Sequence, residues 1–289
     1  MPVLVLSANA TSPTIFQQMD LNLIPVIKPG QPQTFTMGDA LDTDCPQRQV
    51  TLTRPIDVVH RPLTRLDVAT ILAREPQAKQ VLLGLDVNTG REHVMGIQRE
   101  GAGEIENLVP YGLDAPWGPK GIAATRLHDV TEFMRAFQGG REMVDPDHIA
   151  RGISKSDARF LAALLAMAAG QEVRLPFEAE WEFVAQGAKL QRGVDQGAKG
   201  PGSIDLYPKD SRGFQALLGA VWQWCEDWYG PYPEGVLTDP TGPLTGGAGV
   251  LRGGAWYSDD RNSRASYRYF LHPDYRFHGS GVRLVVPRT

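Results

Sequence analysis

Glycine and proline limit what this chain can become more than any other feature. The chain carries 31 glycines and 22 prolines in 289 residues, about 18% together where an average chain has about 12%. Glycine weakens a helix or strand that contains it, and proline removes a backbone donor and fixes φ. Loops must therefore occupy much of the fold. Hydrophobic residues nevertheless make up 42% of the chain, enough for a sizeable core, which excludes wholesale disorder. The length suits one large or two ordinary domains. No clean linker divides it, so we expect one domain over residues 1–289 with an insertion at about 75–148.

Regular structure is legible in short pieces. Residues 23–60 read as strands: Leu23–Ile27, where Pro25 allows at best an edge strand, then 34–37, 49–53 and Ile56–Val59. Thr64 with Asp67 three residues on forms a box-like helix start, and the helix is expected over 65–74. Residues 80–86 suit a strand or a helix, 109–121 read as loop, and 129–137 read as helix ended by Gly139 and Gly140. The clearest helix spans 156–169, with Ser156 as cap and Gly170 as terminator. Residues 173–175 look strand-like, and a second helix covers 178–186, with Glu178, Glu180 and Glu182 toward its positive end. From Gly187 onward we expect loops with short strands at 221–224, 250–252 and 282–286.

Charge and cysteine content exclude several classes. A net charge of −4 argues against a nucleic-acid coat, which needs basic excess for counterion release. Seven arginines against three aspartates follow Leu251, with aromatics between them, a pattern that single-stranded nucleic-acid binding would also show. The acidic chain and the regular recurrence of those arginines lead us to expect no nucleic acid. Two cysteines, Cys45 and Cys225, rule out a disulfide framework and Cys-rich zinc sites. No stretch nears the ~20 apolar residues of a membrane span, and the N-terminus lacks the basic and long apolar regions of a signal peptide. We expect cytosolic synthesis and no membrane insertion.

Several motifs occur in one order: Phe35-Thr36-Met37-Gly38; Pro62-Leu63-Thr64; Arg174-Leu175-Pro176-Phe177-Glu178-Ala179-Glu180-Trp181-Glu182-Phe183; Gly219-Ala220-Val221-Trp222-Gln223-Trp224-Cys225-Glu226-Asp227-Trp228-Tyr229; and Leu251-Arg252-Gly253-Gly254-Ala255-Trp256, closing on Gly281-Val282-Arg283-Leu284-Val285. This order resembles the formylglycine-generating-enzyme (sulfatase-modifying factor) family, a branch of the C-type lectin fold. The resemblance covers most of residues 30–289. It implies an α+β fold with short strands, two or three helices and extensive irregular loops. The family contains enzymes and binders, so the site must decide function.

The resemblance implies, for the enzymes, a cysteine pair shortly after the Gly-Gly element that binds copper through soft thiolates. Here Ser258 and Ser263 stand about where those cysteines would be, and a hydroxyl is a poor Cu(I) ligand. Cys225, in an aromatic run, reads as core. The histidines, His60, His93, His128, His148, His272 and His278, form no paired ligand motif. A calcium site implied near the Trp222–Trp224 element loses an Asn to Ala220 and a Glu to Gln223, and Glu226 and Asp227 read as structural. We expect no catalytic residues, no metal and no cofactor.

The C-terminal segment points elsewhere. Lys, Glu, Gln, Met and Trp together are about one residue in six of the chain, and none occurs after Trp256. Two kinds of position alternate there. One kind looks like scaffold: Arg261, Asn262, Arg264, Ala265, Ser266, Arg268, Pro273, Asp274, Arg276, Gly281 and Arg283. The other is a mixture: Tyr257, Ser258, Asp259, Tyr267, Tyr269, Phe270, Leu271, His272, Tyr275, Phe277, His278 and Gly279. This pattern is similar to the variable proteins of diversity-generating retroelements, in which adenines of Asn codons are randomised. Such codons reach every residue type in the mixture and none of the five missing types.

Tyr, Phe and His give large rigid contact area, and Ser, Asp and Gly adaptable polar contacts, as in a paratope. The resemblance implies a non-enzymatic ligand-binding protein whose binding region is residues 257–279. The expected partner is a protein or glycan on another cell or surface, and the expected place a phage or virus tail tip, or a cell surface reached by another route. The alternatives are an oxygenase of the sulfatase-modifying family and a structural adaptor without a variable face.

Overall fold

A computed structural model describes residues 14–40, 42–86, 91–102, 106–107, 122–193 and 199–288. The N-terminal reading at residues 1–6 and the loop reading at 109–121 lie outside the described residues. In chain order the elements are α1 (Ile15–Gln18), β1 (Leu23–Ile27), β2 (Gln33–Met37), β3 (Arg48–Leu52), β4 (Ile56–Val59), α2 (Arg65–Leu72), β5 (Ala78–Asp86), β6 (Glu92–Arg99), β7 (Glu106–Asn107), β8 (Ile122–Asp129), α3 (Thr131–Phe137), α4 (Lys155–Ala169), α5 (Glu178–Ala185), β9 (Trp222–Trp228), β10 (Leu237–Thr238), β11 (Gly249–Arg252), β12 (Arg268–Leu271), β13 (Ser280–Gly281) and β14 (Val285–Pro287).

Side chains that close the first turn set the helix starts. The Thr64 hydroxyl of α2 accepts from the Asp67 amide, and the Asp67 carboxylate accepts from the Thr64 amide in return, the reciprocal box expected there. In α4 the same device is Ser154 with Asp157. The cap therefore lies two residues before the expected Ser156 and the helix begins at Lys155, while Ser156 Oγ is committed to Asp274. Gly170 ends α4 at φ 67°, a left-handed residue that glycine adopts without a Cβ clash. At α3 the Asp129 carboxylate accepts from the Thr131 amide, so the helix starts at Thr131.

Helix α4 lies in the larger core. Phe160, Leu161, Leu164 and Leu165 are buried with Val68 and Ile71 of α2, Phe133 and Phe137 of α3, and Val81 and Leu83 of β5. Each such side chain contributes about 1.5–3 kcal/mol relative to exposure. A second core joins Phe35 and Met37 of β2, Val50 and Leu52 of β3, and Trp181 and Val184 of α5.

Four sheets order the strands as β1-β4-β14, β10-β3-β2, β12-β11-β9-β13 and β7-β6-β5-β8. Strand β1 is an edge, as Pro25 requires. The first sheet pairs Leu23 and Val285 with neighbouring residues of β4, which brings the two ends of the described chain together. Residues 80–86, open between strand and helix in the sequence, are strand, because β5 pairs with both β6 and β8. Residues 173–175 form no strand and touch β14 through one bridge, Arg174 to Val285.

Candidate ligand-binding face

The sheet β12-β11-β9-β13 carries the C-terminal segment. Strand β9 is buried along its whole length. It pairs antiparallel with β11 and parallel with β13, and β11 in turn places Leu251 opposite Tyr269 of β12. Trp222 of β9 and Trp256, which follows β11, are buried and form the floor. The Trp222 ring lies 5.0 Å from that of Tyr269 and 5.9 Å from that of Tyr267. Trp256 meets Tyr257 edge-on at 4.8 Å and His278 at 5.9 Å.

Above this floor the rings form a connected surface. Tyr257 and His278 stack at 5.0 Å, Phe277 lies 6.2 Å from both Tyr269 and Tyr275, and Phe270 sits 4.3 Å from Tyr229. Side chains along a strand alternate between faces. Arg268 and Phe270 thus lie on one side of β12, near Tyr229. Tyr269 and Leu271 lie on the other and pack against the larger core. The expected site residues therefore fall into three levels. Asp259, Phe270, His272, Tyr275 and His278 are exposed. Tyr257, Tyr267, Tyr269, Leu271 and Phe277 are half-buried. Ser258 and Gly279 lie beneath the surface: the Ser258 hydroxyl accepts from the Ala255 amide at 3.0 Å, and a Cβ on Gly279 would stand 2.2 Å from the Tyr257 hydroxyl. Trp222 beneath Tyr269 and Tyr229 beside Phe270 complete the face; neither is among the expected site residues, although the aromatic run 222–229 is their signal in the sequence.

Arginines fasten these loops to buried carboxylates. The Arg268 guanidinium donates to both oxygens of Glu178 and to the Gly230 carbonyl. Arg252 donates to Glu178 and Glu182. The three glutamates of α5 are thus ion partners, and Glu180 pairs with Arg174 while accepting from the Phe177 amide. Arg264 reaches Asp39 and Asp42 near the N-terminal sheet. Such bidentate charge-assisted bonds are strong and directional.

A second network holds the 272–278 turn. Arg276 donates to both oxygens of Asp157 at 2.7 and 2.9 Å. His128 lies 2.8 Å from Asp157 and 3.2 Å from Asp274, and Asp274 also receives Arg126 and Ser156, each at 2.6 Å. Burial disfavours charge on His128, but its bonds to Asp157 and Asp274 outweigh this and hold its pKa above the usual value. Burial likewise opposes ionisation of Asp157, and Arg276 and His128 overcome it. The result is a charged lattice under the turn. Arg126 and His128 belong to β8 and are new to the site; Asp274 lies 148 residues from Arg126 and Asp157 lies 29 residues from His128, separations that local pattern does not reveal.

The copper chemistry implied by the resemblance does not fit these residues. The Ser258 hydroxyl is bound to backbone, and the Ser263 hydroxyl donates to the Asp259 carbonyl. Burial pushes the Cys45 thiol up to about 12 and raises Cys225 well above its ordinary value, so neither supplies a thiolate. Gln223 at the calcium motif is spent on structure. Its carbonyl oxygen accepts from Trp181 Nε1 and Arg283 Nε, and its amide donates to the Ala216 and Leu217 carbonyls. Among the described residues no group of three or more His, Cys, Asp or Glu side chains is placed to hold a metal ion, and no helix is long and apolar enough to cross a membrane.

Residues 189–288 match the sulfatase-modifying factor enzyme 1-like domain. The formylglycine-generating enzyme of Streptomyces coelicolor is 28% identical over 200 residues, 58% of this chain and 62% of that enzyme. The chain thus spans under two thirds of that relative's length. Among solved structures, Treponema denticola variable protein 1 superposes with a TM-score of 0.61 at 15% identity, over 92% of this chain and 95% of that one. PvdO from Pseudomonas aeruginosa superposes with a TM-score of 0.56 at 17% identity, over 91% and 94%. The fold is the formylglycine-generating-enzyme-like, C-type-lectin type of mixed α and β structure expected from the motifs, and a variable protein shares it.

Proposed function

We propose that this chain is a non-enzymatic ligand-binding protein whose C-terminal face, residues 257–279, is diversified by a retroelement. One observation carries the reading. The exposed positions Asp259, Phe270, His272, Tyr275 and His278 hold only types that randomised Asn codons can reach, while Arg268, Asp274 and Arg276 between them are bound to buried or charged partners. A scaffold fastened this way tolerates change at its exposed positions. The exposed rings offer the rigid contact area of a paratope. The ligand in this reading is a protein or glycan on another surface, and the setting a virion tail tip or a cell surface. We read residues 1–289 as one domain in which the inserted β5–β8 sheet buttresses the face through Arg126 and His128.

The test is genetic. A near-copy of the segment encoding residues 257–285, differing at adenines and adjacent to a reverse-transcriptase gene, is the expected finding. Natural variants of the chain that differ evenly along its length instead of within that segment would sink the reading. The match of residues 189–288 to an enzyme-derived domain keeps a second reading, an oxygenase. Stoichiometric copper with turnover on a cysteine-containing sulfatase peptide would establish it.

A further inference from the structure

A cleft of about 440 Å³ opens beside the aromatic face, lined by Arg65, Arg141, Arg151 and Lys199 against Glu142 and Asp145. Four cations thus face two carboxylates, and His148 also lines the cleft. Arg65 is committed: it donates to the Val144 carbonyl and lies 3.4 Å from Glu142 and 4.0 Å from Asp145. Among the described residues Arg141, Arg151 and Lys199 form no ion pair within 4 Å, the cleft's carboxylates being paired with Arg65 and His148. Arg151 stands at the boundary with the face. Its Nε is buried without a hydrogen-bond partner, as is the Nε of Arg65, a costly state for a charged donor. Its guanidinium also lies 5.5 Å from the ring centroid of Trp256, the floor beneath Tyr257 and His278.

We propose that this cleft is a fixed subsite for an oxyanion group of the ligand, with Arg151 as the donor shared between cleft and face. A guanidinium fork matches the spacing of carboxylate, sulfate or phosphate oxygens, and Lys199 and Arg141 add charge at the exposed rim. Unlike the rings at 270–278, these residues lie outside the segment whose composition is restricted. The cleft thus supplies constant affinity for a charged group, and the face supplies the selection. That one ligand spans both rests on the reading above; oxyanion binding by the cleft does not, and it is measured without any receptor.

The experiment is titration of the full ¹⁵N-labelled chain with sodium sulfate or sodium glucuronate against sodium chloride of equal ionic strength, read at the six tryptophan indole resonances. The expected result is a saturable shift of the Trp256 resonance, weakened at least tenfold in Arg151→Gln and in Lys199→Gln, and unchanged in Arg212→Gln, whose guanidinium is paired with Asp210. Tighter binding of glucuronate assigns a carboxylate, and tighter binding of sulfate a tetrahedral anion. The remaining indole resonances report whether each variant is folded. Should Arg151→Gln not fold, Lys199→Gln, on an exposed side chain, carries the test. Shifts that follow ionic strength alone, or a titration that folded Arg151→Gln or folded Lys199→Gln leaves within twofold of the original, overturn the proposal.

Discussion

Arg268 and Glu178 stand 90 positions apart and meet in two parallel hydrogen bonds of 2.6 and 2.8 Å. Both side chains are almost fully buried. The bond crosses from the strand that carries the candidate face to the first turn of α5. It fixes β12 in place, while Phe270, two residues on, is exposed beside Tyr229.

Truncating one partner of a buried pair strands the other charge. Arg268→Ala is therefore expected to destabilise the fold by about 3–5 kcal/mol, measured by denaturant unfolding. Arg268→Lys should recover only part of this, because an ammonium cannot form the paired bonds. Full stability in the Lys variant would show that charge alone matters here.

Tyr269 and Tyr275 should behave oppositely. Tyr275 is 55% exposed, and Tyr275→Ser should change stability by no more than about 0.5 kcal/mol. Tyr269 packs on Trp222 and the larger core, and Tyr269→Ala should cost more than that, toward the several kcal/mol of a buried aromatic. Thermal unfolding of the two variants side by side separates them. Equal effects would mean that β12 does not divide the face as described.

Positions 257 and 279 should vary together. A methyl group on Gly279 would lie 2.2 Å from the Tyr257 hydroxyl and 2.9 Å from its Cζ, and the Tyr257 ring is held between Trp256 and His278. Gly279→Ala is expected to cost about 1–3 kcal/mol by overpacking. Adding Tyr257→Ser should remove most of that increment. A double-mutant cycle gives the answer, and additive effects would refute the coupling.

The His128 network makes the turn pH-dependent. Because the folded pKa of His128 is raised, its stabilising contribution is complete below its unfolded value of about 6.5. It is lost as pH rises through the folded value. Asp157 is lowered, so its contribution is complete above about 3.9 and is lost on acidification. The melting temperature of the unmodified chain should exceed that of His128→Gln most near pH 5, and the gap should narrow toward pH 9. A constant gap would mean that His128 is neutral in the folded state.

Much of this was legible locally. Thr64 with Asp67 announced a helix start, Pro25 an edge strand and Gly170 a helix end, because each acts on its own neighbours. The loss of five residue types after Trp256 is a property of the sequence that no structure could reveal. The expected cap at Ser156 failed because a partner 118 positions away, Asp274, holds that hydroxyl. The glutamates of α5, read as complements of a helix dipole, proved to be ion partners of Arg252, Arg268 and Arg174 for the same reason. Composition marked the segment 257–279 as a surface of unusual chemistry, but it could not rank its members. That ranking came from the tertiary structure. The alternation of β12 turns Phe270 outward and Tyr269 toward Trp222, the packing around Tyr257 leaves room at 279 for glycine only, and distant β8 supplies the charges that hold the turn. Burial is set by what approaches from elsewhere in the chain, and that is decided only when the chain has folded.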